Sequence, residues 1–593
     1  MRVADYIINR LSEQCAKHIF SITGRGILYL TDALAKHNEI KGVFVHHEQA
    51  AAYAAYAYGS YSQKPGVCLV STGCASTNAI TGVLNAWQDE VPCIFISGQN
   101  MLNETVNYKK IPIRTFGSQE TDIISIVKSI TKYSVMITDC KKIAYEMDKA
   151  LYMTQDGIKG PVWIDVPLDI QNMIIEPSEL ERFLPEEDTV FEASKEDIDY
   201  VLSCLSNASR PVILIGSGIR QSNAVTLLKN FIEKSKIPLT YAHSATDVYG
   251  FSNEMSMGSV GGLYGTRAGN FTVQNSDLLL VIGCRMTTMT TGSQKDKFAR
   301  AAKVIVVDIN KDEFLKDTFK VDRLIVSDAK KFLEILMKND FKTTNNTWVE
   351  KCIHWKNIFP KCEDKYKQSE RIDLYYLADV LSKVLPEKSI FLADAGLEEL
   401  ILPTNICFRE DMRCIHPAMQ GSMGFALPGA IGAYYASGCP VCAVIGDGSV
   451  MMNLQEFDTV RYNNIPLKVI IINNNMYSVI RKRQVDLFRT RTIGTDSDNG
   501  VSNPDFKKIA YAFSIPYMKI ENSVNLEIEL KNFFQAEGAI ICEIMASVNQ
   551  EYLSEGYAKN LQRKIVHRPI EDLFPFIDRD FFLSEMIIDP IDQ

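Results

Sequence analysis

VIGDGSVMMNLQEFDTVRYNNIPLKVIIINNNMYSVIRKRQ, residues 444–484, reads as an apolar strand ending in Gly446-Asp447-Gly448, then a helix, then a second apolar strand ending in Asn473-Asn474. A carboxylate, Asp447, and a carboxamide, Asn474, are thereby placed at the C-terminal ends of two strands, where open α/β sheets bind ligands. Asp, Asn and a backbone carbonyl are hard oxygen ligands. They suit a Mg²⁺ that completes its octahedron with phosphate oxygens and water. A GDG turn alone is common in α/β proteins. GDG and NN at this spacing, each closing an apolar strand, point to a metal-held phosphate rather than a structural turn.

The bulk numbers are those of a large cytosolic enzyme. A chain of 593 residues predicts three or four domains, and its 46% hydrophobic content can build large cores. The net charge of −9 argues against nucleic acid or an anionic membrane surface as a general partner. No apolar run approaches the ~20 residues that span a bilayer. MRVADYIINRLSEQ at the start reads as an amphipathic helix with Val3, Ile7 and Leu11 on one side, and not as a signal peptide. The 14 cysteines are scattered among apolar strands, as buried thiols in a reducing compartment would be. Cys439-Pro-Val-Cys442 opens the strand leading into GDG, and no second Cys pair or His cluster supports zinc there.

Outward from residues 444–484 the same grammar repeats, and it predicts α/β architecture with three doubly wound parallel-sheet domains. Residues 1–180 alternate helices with HIFSIT (18–23), VFVH (43–46), VCLVST (67–72), CIFISG (93–98) and VWIDVP (162–167). A Pro- and acid-rich stretch from Glu176 onward reads as a linker. Residues 190–345 hold PVILIGSG (211–218), LLLVIGC (278–284) and VIVVDIN (304–310). Residues 370–555 hold SIFLADAG (389–396), the two strands around GDG and NN, and AIICEIMA (539–546). The first and third blocks share size and grammar without a visible sequence repeat. Residues 556–593 form a tail whose Arg563, Lys564, His567 and Arg568 read as a solvated face or the cap of an active-site mouth.

A second signal lies in VFVHHEQAAAYAAYAYG, a strand running directly into an Ala-rich helix with Glu48 at its start. A solvent-facing acid would be favoured there by the helix dipole. Apolar flanks instead suit a partly buried acid raised in pKa for proton transfer. HHEQ together with GDG and NN resembles the thiamine diphosphate (ThDP) enzymes of the acetolactate synthase type. The resemblance extends through STGCASTNAITGVLNAWQDEVPCIFISGQ (71–99), SQETDI (118–123), GPVWIDVPLDIQ (160–171) and GSMGFALPGAIGA (421–433).

That resemblance implies pyrimidine-binding, central and diphosphate-binding domains, and a homodimer or homotetramer in which one subunit's first domain faces another's third. It implies that Glu48 hydrogen-bonds the pyrimidine N1′ of ThDP and favours the imino tautomer, whose N4′ takes the thiazolium C2 proton. It assigns the Gly421 carbonyl to the N4′ amino group and Met423 to the bend of the cofactor. Asp447, Asn474 and the Met476 carbonyl are assigned to Mg²⁺, and the Gly448 and Ser449 amides to the diphosphate. Gln119 matches an active-site glutamine. LYGTRAGNFTVQNSDLLLVIG (263–283) resembles flavin-binding members, which implies FAD near Gly216, Gly218, Thr266, Arg267, Asp308 and Asp328.

Departures from acetolactate synthase gather where the second substrate sits. The synthase segment RFDDRVTG is RMTTMTTG here, so Met289 stands where an Arg binds the acceptor's carboxylate. A methionine cannot make that charge-assisted fork. Arg483 aligns with a substrate-selecting Trp, Ser118 with a Phe, and Arg25 with a Gly; Val479 completes the expected acceptor pocket. SVIRKRQVDLF, GTDSDNGVSNPDFKKIA and RPIEDLFPFIDRDFFLSEMII look like the acetolactate-synthase-like proteins of surface-polysaccharide pathways. The resemblance thus implies a ThDP- and Mg²⁺-dependent lyase or carboligase. It would decarboxylate a 2-keto acid, pyruvate first, and pass the acyl unit to an acceptor other than a simple 2-keto acid, such as a nucleotide-linked keto sugar. Acetolactate synthase, a simple 2-keto-acid decarboxylase and a non-catalytic subunit are the alternatives, the last opposed by intact Glu48, Asp447 and Asn474.

Overall fold

The computed structural model describes residues 1–593 apart from 15, 186–190, 293, 342–343, 556, 560–564 and 592–593, with the backbone alone at 557–559, 565 and 566. Arg563 and Lys564 of the expected basic tail cluster lie outside the described residues. The N-terminal helix runs Val3–Gln14 and buries Val3, Ile7 and Leu11.

Three six-stranded sheets carry the chain, each wholly parallel. The first contains β1 (His18–Ser21), β2 (Lys41–Phe44), β3 (Gly66–Val70), β4 (Cys93–Gln99), β5 (Tyr133–Met136) and β6 (Pro161–Pro167), in the order β2-β1-β3-β4-β6-β5. The middle sheet contains β7 (Pro211–Ile215), β8 (Leu239–Tyr241), β9 (Ser256–Ser259), β10 (Leu278–Ile282), β11 (Lys303–Asp308) and β12 (Arg323–Val326), in the order β12-β11-β10-β7-β8-β9. The last contains β13 (Ile390–Ala393), β14 (Arg413–Ile415), β15 (Val441–Gly446), β16 (Lys468–Asn473), β17 (Tyr517–Ile520) and β18 (Ile540–Met545), in the order β14-β13-β15-β16-β18-β17. The first and last sheets therefore share one topology, while the middle sheet has the order of a dinucleotide-binding fold.

Central strands such as β4, β7 and β16 are buried along their whole length, as helices on both faces of a parallel sheet require. The first and last domains meet through the Glu48–Ser62 and Ala426–Ser437 helices, which pack at small residues. A Cβ at Gly432 would lie 2.0 Å from the Ala54 carbonyl oxygen, so only glycine permits this approach. Beyond residue 345, the Asn346–Ile358 helix places Trp348 and Trp355 in the core of the middle domain. The tail packs there too. Ile570 and Phe582 join that core, and Arg300 pairs with the fully buried Glu571 at 2.7 Å. No described helix is long and apolar enough to cross a membrane. Cys439 and Cys442 are free thiols, half-buried and buried, and no group of three or more His, Cys, Asp or Glu among the described residues is arranged to hold a metal.

Candidate active site

The order of the last sheet reverses between β13 and β15, and the loops after β13, β15 and β16 surround that switch point. Asp447, the first residue past β15, is 3% exposed. Its Oδ2 accepts from the Asn474 and Asn475 amides at 3.1 and 2.7 Å, and its Oδ1 accepts from the Gly448 amide at 2.7 Å. Burial pushes its carboxyl up to about 6, against the pull of those amides. The same bonds hold the loop after β16. Asn474 Oδ1 accepts from the Met476 amide at 3.3 Å, and Asn475 turns the chain with φ +58°. Asp447, the Asn474 carboxamide and the Met476 backbone thus converge on two adjoining loops. Gly448 has a local reason of its own, because a Cβ would sit 1.9 Å from the Tyr477 ring. Ser449 is buried, its hydroxyl donating to the Ala395 carbonyl at 3.3 Å.

The chain after β13 contributes Asp394, which closes the SIFLADAG stretch, and Glu398, in the first turn of the following Leu397–Asn405 helix; neither was expected as a site residue. Asp394 is fully buried and accepts from the Gly424 and Ala426 amides at 2.9 and 2.7 Å. It thereby fixes the turn holding Gly421 (φ +58°), half-buried Met423 and Gly424 (φ +80°). Glu398 is 4% exposed with no hydrogen-bond partner for Oε1. Its carboxyl is pushed well up by burial, with Asp394 and Asp447 adding to the shift. The signal that could have found both is position alone: acids directly after an apolar strand at a switch point.

In the first domain, Glu48 opens its helix, capped by His47 Nδ1, which accepts from the Gln49 amide at 3.1 Å. Glu48 is half-buried, and Asn78 donates to its Oε2 at 2.9 Å. Gln119 is exposed in a left-handed conformation, φ +65°, with its carbonyl against Gly73, where a Cβ would come within 2.1 Å. Asn100 Nδ2 holds the adjacent Ser118 carbonyl at 2.9 Å. Glu48 and Gln119 belong to the first domain and Gly421, Met423, Asp447, Asn474 and Met476 to the last, and among the described residues no hydrogen bond joins Glu48 to that second set.

The expected acceptor residues divide the same way. Met289 and Val479 pack with Leu263 against the core of the last domain, and the charge of exposed Arg483 acts on Tyr552 and Glu555. Arg25 and Ser118 are exposed on the first domain. Asp486 pairs with Lys482 at 2.9 Å rather than with Arg483.

Of the six residues expected near FAD, four line clefts at the strand ends of the middle sheet: Gly216, Gly218, Asp308 and Asp328. Burial pushes the Asp308 carboxyl up to about 6. Asp328 caps the Ala329–Met337 helix through the Lys330 and Lys331 amides. Thr266 and Arg267 line neither cleft. Thr266 caps the Arg267–Gln274 helix, and the Arg267 guanidinium clasps the tail through the Leu573 and Pro575 carbonyls.

The comparisons with known proteins match this architecture domain by domain. Residues 1–126 match the thiamine pyrophosphate enzyme N-terminal TPP binding domain, 198–336 the central domain, and 394–544 the C-terminal TPP binding domain. The chain belongs to the thiamine pyrophosphate enzyme family. Acetolactate synthase large subunit from Porphyra purpurea is 30% identical over 547 residues, covering 90% of each chain. The large subunit from Haemophilus influenzae is 29% identical over 91% of this chain and 93% of its own length. Chloroplastic acetolactate synthase from Arabidopsis thaliana is 27% identical over 93% of this chain and 82% of its own. The protein is a ThDP-dependent enzyme of the acetolactate-synthase-like kind, with the α/β domains that kind requires.

Proposed function

We propose that this enzyme is a ThDP- and Mg²⁺-dependent carboligase. It decarboxylates a 2-keto acid, pyruvate first, and transfers the acyl unit to an acceptor that is not a simple 2-keto acid, such as a nucleotide-linked keto sugar. The donor set fits the metal: one carboxylate, one carboxamide and one carbonyl, all hard oxygens on two adjoining loops. Asp447, Asn474 and the Met476 carbonyl would hold Mg²⁺, and the Gly448 and Ser449 amides would face the diphosphate. The Gly421 carbonyl and Met423 would seat the aminopyrimidine. Bound ThDP supplies carbanion chemistry at its thiazolium carbon. Glu48 would hold and release a proton at its carboxylate on the pyrimidine side, and Gln119 would orient substrate.

Because no hydrogen bond among the described residues joins Glu48 to the Asp447 set, we read the two as half-sites and assign the complete site to a homo-oligomer, a dimer at least. Exposed Leu28, Phe116, Met451 and Met452, sequence neighbours of the half-site residues, suit burial against another copy.

The acceptor assignment is carried by Met289. Like Val479 and Leu263 it packs against the core of the last domain and offers no charge, which leaves Arg483 as the guanidinium of the expected pocket. Arginine forks suit phosphate or polar sugar groups. The names of the relatives favour a second reading, acetolactate synthase itself. Pyruvate supplied alone, with acetolactate, acetaldehyde and carbon dioxide quantified, separates the two. Acetolactate at the turnover of an ordinary synthase would overturn our reading.

The middle domain has room for a flavin. A cleft lined by Asp328, Ile309, Gln221 and Lys331 measures about 970 Å³, against about 300–1,000 Å³ for sites that hold sizeable ligands, and two narrower clefts beside it measure about 90 and 70 Å³. Glu90, Ser217, Gln221 and Arg285 line both and form their common wall. Arg285 there pairs with Glu313 at 3.1 Å and Glu90 at 3.6 Å and donates to the Gln88 carbonyl. We therefore propose FAD along these clefts, with Gly216, Gly218, Asp308 and Asp328 facing it. A gently purified protein without a flavin absorption band that takes up no FAD on reconstitution would reverse this.

A further inference from the structure

We propose that Asn453 and Glu456, buried in the turn that follows Gly446-Asp447-Gly448, position Glu48 for proton transfer and tie its placement to the metal-phosphate turn of the same chain. The proposal rests on the reading of Glu48 as the proton-transfer group and deepens it.

Both residues are fully buried and belong to the last domain, yet both reach the first. The Glu456 carboxylate accepts from the His46 amide, two residues before Glu48, at 3.1 and 3.3 Å from its two oxygens. Its Oε2 also accepts from the Thr459 hydroxyl at 2.7 Å, and its Oε1 from Gln455 Nε2 at 3.4 Å. Asn453 Nδ2 donates to Gln49 Oε1, one residue after Glu48, at 3.0 Å. The same nitrogen donates to the Gly424 carbonyl at 2.9 Å, next to Met423. Asn453 Oδ1 accepts from Gln455 at 3.3 Å. A carboxamide has two donor hydrogens and one acceptor oxygen, and here each is used, so its rotation is set.

The chain on either side of Glu48 is thereby pinned by one turn, and that turn begins at Asp447. Asn453 also joins the Glu48 turn to the Gly421–Gly424 turn that Asp394 holds from the other side. A proton-transfer group needs hydrogen-bond reach of its target, and a misplacement of about 1 Å costs on the order of 100-fold. Asn453 and Glu456 are positioning residues in this scheme, since both bond the residues beside Glu48 and not its carboxylate.

The test uses the full-length holoenzyme. Exchange of the ThDP C2 proton is followed by NMR across pH, and ThDP affinity is measured by calorimetry with Mg²⁺. Asn453→Ala and Glu456→Ala are expected to slow exchange about 10- to 100-fold and to move its pH profile, with ThDP affinity held within about threefold. Glu456→Gln still offers His46 an acceptor oxygen and should keep most of the rate. Gln49→Ala removes the partner of Asn453 without altering the last domain, and it decides the matter if either alanine variant fails to fold. Wild-type exchange in these variants, with exchange lost in Glu48→Gln, would overturn the positioning role and leave Glu48 in place. Wild-type exchange in Glu48→Gln as well would sink the underlying reading. An equal fall in affinity and exchange would mean that the turn merely supports the metal site.

Discussion

The first and last sheets have one strand order and opposite chemistry at corresponding loops. After β15 the chain presents Asp447, a buried carboxylate that gathers three amides. After β3, its counterpart in the first sheet, it presents Ser71, whose hydroxyl accepts from the Gly26 amide at 3.0 Å. The first sheet instead places its acid one loop away, where Glu48 follows β2 at the mouth of an Ala-rich helix. The same scaffold therefore yields a carboxylate held by backbone amides in one domain, and a neutral loop with a half-buried acid beside it, the proton carrier of the proposed function, in the other. What differs is a handful of loop side chains; the strand framework is constant.

The comparison can be broken most severely at Glu48. Glu48→Gln should retain ThDP affinity and lose about 10²- to 10⁴-fold in C2 exchange and turnover, because it removes proton transfer rather than binding. Loss of binding instead would erase the division of labour between the two sheets. Next, Asp447→Ala should weaken ThDP binding by more than about 100-fold, since even outer-shell partners of a metal cost about 10- to 100-fold. The corresponding change in the first sheet, Ser71→Ala, should cost only about 1 kcal/mol of stability and little affinity, as for one neutral hydrogen bond. Calorimetry on both variants sets the two loops side by side; equal losses would make them equivalent.

A smaller effect sharpens the acceptor half. An Arg–carboxylate contact is worth on the order of 2–4 kcal/mol, or ~30- to 1,000-fold in selectivity. Met289→Arg should recover part of this and raise acetolactate formation from pyruvate about tenfold, roughly 1.4 kcal/mol. No gain would mean that Met289 does not face the acceptor.

The mildest effect is on pH stability. Asp165 on β6 and Asp394 after β13 are each buried and pushed up to about 7. A carboxyl raised in the folded state binds protons there first, so it destabilises the fold at high pH, and that cost fades as pH falls through about 7. The melting temperature of cofactor-free protein should therefore rise from pH 7 to 5, by roughly 2–4 °C per kcal/mol recovered. Asp165→Asn should flatten that rise; an unchanged slope would show that this acid titrates normally.

Much of this was legible in the sequence wherever an apolar run is long and central. Residues 93–98, 211–218 and 441–446 announce β4, β7 and β15 because a parallel strand covered on both faces must be apolar throughout. β5, β14 and β17 gave no such signal. They are edge strands of three or four residues with partly exposed positions. β8 and β9 are as short, and their pairing depends on the sheet already present. The placement of Asp447, Asn474 and Glu48 was readable because each follows closely on an apolar strand. The part played by Asp394 was not, because an acid that caps a turn through backbone amides looks like any loop acid until the turn is seen. The partners of Arg267 were not legible for a related reason: its carbonyl acceptors lie some three hundred residues downstream, and no local pattern announces them.

Those distant partners bear on how the molecule is made. Asn270 donates to the Ile570 carbonyl, Gln274 to the Glu571 carboxylate, and Arg267 to Leu573 and Pro575. The middle domain thus leaves the ribosome with part of its apolar wall missing and its polar anchors unmet, and it must wait through the synthesis of the whole last domain for the segment that completes it. Maturation of the flanking domains can precede that event; the centre of the chain is sealed last.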